Sequence, residues 1–135
     1  MRHNQYSYCN PLAIPDYPVV HNNEKGDTNE DFREMADPSV LYHDGKWYMY
    51  PSCGMVYWTE DLINWQHTSI EPASMIHEAA PTIMEYKGKF YLNASYTDLY
   101  VSDSPLGPFE SIRNFCQITG EKLMAWDPML FADDG

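Results

Sequence analysis

Three positions in this sequence are candidates for chemistry because they recur. Asp37-Pro38-Ser39-Val40-Leu41 is followed 43 residues later by Ala80-Pro81-Thr82-Ile83-Met84, and 90 residues later by Asp127-Pro128-Met129-Leu130-Phe131. Each run opens on a small or acidic residue, turns at proline and continues as an apolar stretch. Two of the three opening residues, Asp37 and Asp127, are carboxylates. Placed equivalently in a repeated structure, they point toward one shared pocket from units separated by one other. Acid–base reactions, glycoside hydrolysis among them, need such a pair. The same spacing is met by aspartates that cap a strand or turn the chain ahead of proline.

The elements that would position these residues are short strands. Without a gap, the first offset carries Gly45-Lys46-Trp47-Tyr48-Met49 onto Gly88-Lys89-Phe90-Tyr91-Leu92, so each unit reads as a hairpin around Asp44-Gly45 or Lys87-Gly88. Third strands are predicted at 55–59 and 99–102, and fourth strands around 65–67 and 109–112. Four strands in about 43–47 residues is the size of a propeller blade. The fold class expected is therefore all-β, a β-propeller, with this chain covering about two blades and the first strand of a third. Blade 1 is 37–79, blade 2 is 80–126, and 127–135 opens blade 3. Residues 1–36 lie outside the repeat. Pro11, Pro15 and Pro18 argue for an extended arm, residues 21–30 for an exposed loop, and Thr28 for the cap of a short helix running to Met35.

Composition narrows the partners. The chain has 135 residues, 8 Lys+Arg against 20 Asp+Glu and a formal net charge of −12, so nucleic acid and anionic membrane surfaces are excluded as natural partners. At 44% hydrophobic and 15% aromatic residues it has the apolar material of a folded domain. No apolar run is long enough to span a bilayer, and residues 1–11 lack the basic-then-apolar pattern of a secretory signal, so a cytoplasmic protein is expected. Cys9, Cys53 and Cys116 are odd in number and far apart, which predicts reduced thiols rather than a disulfide framework. The five histidines show no paired spacing, so no metal site is expected from this segment.

The motifs taken in order resemble glycoside hydrolase family 43, five-bladed β-propeller enzymes acting on arabinose- and xylose-containing oligosaccharides. The resemblance rests on Ala36-Asp37-Pro38-Ser39-Val40 with its following hairpin and on Thr59-Glu60-Asp61-Leu62-Ile63-Asn64-Trp65. Ala80-Pro81-Thr82-Ile83 and Ser102-Asp103-Ser104-Pro105-Leu106-Gly107-Pro108-Phe109 carry it through blade 2. Trp126-Asp127-Pro128-Met129-Leu130-Phe131-Ala132-Asp133-Asp134-Gly135 completes it. It implies an inverting glycosidase of the α-L-arabinofuranosidase or β-xylosidase type. Asp37 would be the general base that activates water, and Asp127 the second carboxylate that raises the pKa of the general acid. That acid is a Glu on a later blade in the family, and no Glu follows Asp127 in this sequence. The stretch alone is therefore expected to be inactive. Some relatives place a cation such as calcium in the channel with a ligand from a later blade, so no cofactor is expected here. A non-catalytic carbohydrate-binding or interaction propeller on the same scaffold is the alternative reading.

Three further residues are candidates for contact with an oligosaccharide. Trp58 has Val101 as its repeat partner, so the common scaffold demands no indole there, although blade packing also explains it. Trp126 precedes Asp127 and is a candidate pocket wall. Where the family often has Trp-Ala-Pro this chain reads Glu78-Ala79-Ala80-Pro81, so a stacking Trp is absent, and Glu78 is a candidate for binding sugar hydroxyls or simply a solvated loop residue. Trp47, Tyr48, Phe90 and Tyr91 are expected in the core, packed between blades. An incomplete ring would expose a strand edge and an apolar blade face, which predicts association; the oligomeric state itself is not legible.

Overall fold

In the computed structural model, which describes residues 12, 14, 15, 17–21, 28–32, 35–72, 79–113 and 126–133, the repeat appears as two four-stranded antiparallel sheets. The first sheet is β3 (Ser39–His43), β4 (Lys46–Tyr50), β5 (Met55–Thr59) and β6 (Gln66–Ser69), in that order. The second is β7 (Thr82–Tyr86), β8 (Lys89–Asn93), β9 (Leu99–Ser102) and β10 (Glu110–Arg113). The registers match across the repeat: Ser39 pairs with Tyr50 as Thr82 pairs with Asn93, and Tyr48 pairs with Trp58 as Tyr91 pairs with Val101. Both first hairpins close on two residues with positive φ, Asp44 (47°) and Gly45 (78°), then Lys87 (49°) and Gly88 (74°). That sign pattern belongs to a type I′ turn, whose twist suits the flanking strands.

Period-two patterning gives each blade an apolar face toward the other, and gives blade 1 a second one. Tyr48, Tyr50, Val56 and Ile70 of blade 1 meet Ile83, Phe90, Leu92, Ala94, Tyr100 and Phe109 of blade 2 in one buried cluster. The opposite face of blade 1 puts Cys53, Met55 and Tyr57 against Ile14, Met35, Met49 and Trp65, so residues before the repeat cover it. β5 serves both clusters, which is why Met55, Val56 and Tyr57 are buried in succession. Two polar contacts reinforce the joint between blades: the amide of Phe109 donates to the carbonyl of Glu71 at 2.8 Å, and the Tyr50 hydroxyl donates to the carbonyl of Pro105.

Outside the repeat, expectation and structure part. Residues 28–32 form not a helix but a strand, β2 (Thr28–Phe32), paired antiparallel along its whole length with β1 (Tyr17–His21). A helix from Thr28 to Met35 would have been too short to persist alone, whereas pairing with the Val19-Val20 strand satisfies the same backbone groups. The expected core residues also divide: Tyr48 and Phe90 are buried and Tyr91 is half-buried, but Trp47 is exposed, its ring 4.8 Å from that of Tyr42. Cys53 is buried; Cys9 and Cys116 lie outside the described residues. No helix of the described residues is long and apolar enough to cross a membrane.

Candidate functional site

The first strands of successive units sit side by side, joined by the same contacts twice. The amide of Ile83 donates to Ser39 Oγ at 3.3 Å, and the amide of Leu130 donates to Thr82 Oγ1 at 3.4 Å. Residues 127–133 therefore run beside β7 as β7 runs beside β3, although they have no sheet partner of their own among the described residues.

At one end of these strands stand Asp37, Ala80 and Asp127, with φ of 45°, 49° and 46°. All three occupy the left-handed region, which L-residues enter at a cost and Asp tolerates better than Ala. A serine at the end of each second strand holds this conformation. Ser52 donates its amide to the carbonyl of Ala36 at 2.9 Å, and its Oγ accepts the amide of Ala80 at 2.9 Å. Ser95 repeats the pattern, donating to the carbonyl of Ala79 at 2.9 Å and accepting the amide of Asp127 at 3.0 Å. Asp127 is thus held by this backbone device, while Asp37 has the tie to the carbonyl of Ala36 before it; the two stand at equivalent positions on either side of β7, and both are exposed. An exposed carboxylate on a fixed backbone can take a proton from water or face a second acid.

Trp126 joins them. It is exposed, and its ring lies 5.4 Å from that of Tyr96 in an edge-on arrangement. Tyr96 is itself left-handed at φ 63° and exposed, uncommon for a bulky side chain. Ser95 and Tyr96 are site residues that sequence reasoning missed, and it missed Ser52 too, whose hydroxyl holds Ala80 rather than a carboxylate-bearing residue. The 43-residue spacing of the serines was the signal that could have found two of them.

Trp58 stands apart. It pairs with Tyr48, which pairs with Leu41, roughly 13 Å along β3 from Asp37 at strand rise and two strands further out. Its indole packs on the cluster between the blades and lines an outer groove of about 230 Å³ with Lys46, Thr59, Glu60, Asp61, Asn64 and Gln66. Blade 2 has the same groove, about 270 Å³, around Lys89, Ser102, Asp103 and Glu110, so the groove belongs to the scaffold. Glu78 lies outside the described residues. Among the described residues, no three of His, Cys, Asp and Glu gather into a group that could hold a metal ion.

No protein-family model matches the chain, and no curated protein matches it. Solved structures do. An α-L-arabinanase from Cellvibrio cellulosa in complex with arabinohexaose is similar at 23% identity and a TM-score of 0.56, over 76% of this chain and 42% of that one. A structure described as a glycoside hydrolase matches at 23% identity and a TM-score of 0.57, over 74% of this chain and 29% of that one. A family 43 arabinoxylan arabinofuranohydrolase from Bacillus subtilis, in complex with cellotetraose, matches at 19% identity and a TM-score of 0.51, over 74% and 31%. The chain therefore spans less than half the length of each. Its fold is that of the β-propeller glycoside hydrolases, family 43 members among them.

Proposed function

We propose that this chain carries the base-bearing part of an inverting glycoside hydrolase acting on arabinose- or xylose-containing oligosaccharides. The observation that supports this reading is the placement of Asp37 and Asp127. Of the three equivalent left-handed positions, these two present carboxylates, and they flank the one that does not. Asp37 is the general base: its carboxylate takes a proton from the water that attacks the anomeric carbon. Asp127 is the second carboxylate, whose negative charge keeps a neighbouring acid protonated at neutral pH. Inversion requires water to fit between base and acid, with carboxyl groups roughly 6.5–9.5 Å apart. The general acid, a Glu on a later blade in the family the motifs resemble, is not among the residues of this chain after Asp127. Trp126 supplies an aromatic face to a sugar ring beside these groups.

The test is made on the whole gene product that carries this chain, with aryl α-L-arabinofuranosides and β-xylosides. Asp37→Asn is expected to lower turnover at least a hundredfold while leaving oligosaccharide binding unchanged, the range of a general base. Parallel loss of binding, or retained turnover, overturns the base role. Oligosaccharide binding without hydrolysis by the wild type favours a carbohydrate-binding propeller instead.

A further inference from the structure

The left-handed backbone at Ala80 and Asp127 has a cause that the side chains of these two residues do not supply. Asp has some intrinsic tolerance of this region, but Ala has none, because its Cβ crowds the following carbonyl. Yet Ala80 has φ 49°, within a few degrees of Asp37 and Asp127. What Ala80 and Asp127 share is a serine hydroxyl on their amide, from Ser52 at 2.9 Å and from Ser95 at 3.0 Å. Ser95 is 1% exposed, so its hydroxyl is held out of bulk water where it accepts from the amide of Asp127. Its own amide is tied to the carbonyl of Ala79, so the hydroxyl is anchored to blade 2 while it grips blade 3. The peptide entering Asp127 is therefore oriented by blade 2, and with it the Cα–Cβ bond that aims the carboxylate.

We propose that Ser95 is a positioning residue for Asp127: its hydroxyl fixes the amide, and thereby the direction in which the Asp127 carboxylate faces the reacting groups. The proposal rests on the hydrolase reading for its kinetic consequence and on the hydrogen-bond pattern alone for its structural one. A built-in control exists, because Ser52 makes the same bond to Ala80, where there is no carboxylate to aim.

The experiment compares Ser95→Ala with Ser52→Ala in the whole gene product. Both remove one hydrogen-bond acceptor, buried at Ser95 and half-buried at Ser52, so both lower the melting temperature. Only Ser95→Ala is expected to reduce kcat, by about tenfold with KM unchanged, and to shift the acidic or alkaline limb of the kcat–pH profile. In selectively labelled protein, the Asp127 backbone 13C shifts leave their left-handed values in Ser95→Ala and keep them in Ser52→Ala. Equal kinetic losses in the two variants, or an unmoved Asp127 in Ser95→Ala, overturn the proposal. Should Ser95→Ala not fold, Ser95→Cys keeps the shape with a weaker acceptor and is read against the same outcomes. A wild type without hydrolysis sinks the hydrolase reading, and the Asp127 shifts still decide whether Ser95 sets its backbone.

Discussion

The hydroxyl of Tyr50, a residue with no solvent exposure, crosses from blade 1 to donate to the carbonyl of Pro105 in blade 2. It is a polar pin through the apolar cluster that joins the blades. Removing it with Tyr50→Phe leaves the carbonyl without this donor at small cost in volume, and the expected loss is about 1–2 kcal/mol, read from urea unfolding. Burial, with a smaller contribution from Tyr48, also pushes the Tyr50 phenol far above its usual 10.0. A raised folded pKa means that the stabilisation is intact below pH 10.0 and declines as pH rises beyond it, because the unfolded chain then loses the proton first. Tyr50→Phe should flatten that alkaline decline; an identical slope in the variant would show that another group causes it.

Ala80 offers a prediction of opposite sign. Its φ of 49° costs an L-residue about 1–2 kcal/mol, whereas glycine enters that region freely but loses more chain entropy on folding. The first effect exceeds the second, so Ala80→Gly should raise stability by about 0.5–1 kcal/mol. A lowered denaturation midpoint would mean that the methyl group packs more usefully than its backbone suffers.

The repeat made most of this fold legible. The hairpins at Asp44-Gly45 and Lys87-Gly88 and the third strands lie where the 43-residue offset put them, since turn chemistry and alternation are local properties. Thr28 misled because its capping potential is local too, while the β1–β2 pairing that wins is not. Trp58 was singled out for breaking the repeat, but departure from a repeat says nothing of direction. Only register shows that it faces the cluster between blades and an outer groove. Ser52 and Ser95 were invisible for the converse reason: their role is to reach across to the next blade, and a residue's partners in another blade are not written in its own neighbourhood.

Asp61 organises the loop before β6. Its Oδ1 accepts the amides of Ile63 at 2.9 Å and Asn64 at 2.7 Å, and Oδ2 accepts from the Asn64 side chain at 2.6 Å. Those bonds, the Asn64 amide foremost, hold its carboxyl far below the usual 3.8. With a depressed folded pKa, the contribution is present above pH 3.8 and is lost as pH falls toward the folded value. Amide exchange at Ile63 and Asn64 should accelerate in strong acid, and Asp61→Ala should show that fast exchange already at pH 7. Protection of both amides in the variant would contradict the assignment.

On the proposed reading, Trp126 and Tyr96 bear on ligand binding. Trp126 is 66% exposed and immediately precedes Asp127, while the Tyr96 ring meets it edge-on at 5.4 Å and limits how it can turn. A restrained aromatic face next to Asp127 can stack on the apolar face of a sugar ring, with aromatic contacts of this kind contributing about 0.5–1.5 kcal/mol. Trp126→Ala in the whole gene product should therefore weaken arabino-oligosaccharide binding about three- to tenfold by calorimetry, with the melting temperature little changed because the side chain is exposed. Tyr96→Gly removes the ring while accepting the left-handed backbone, so it should loosen Trp126 and weaken binding by a smaller factor without a stability loss. Unchanged affinity in both variants would move the sugar away from this aromatic pair, leaving Asp37 and Asp127 to be served by a wall from another part of the ring.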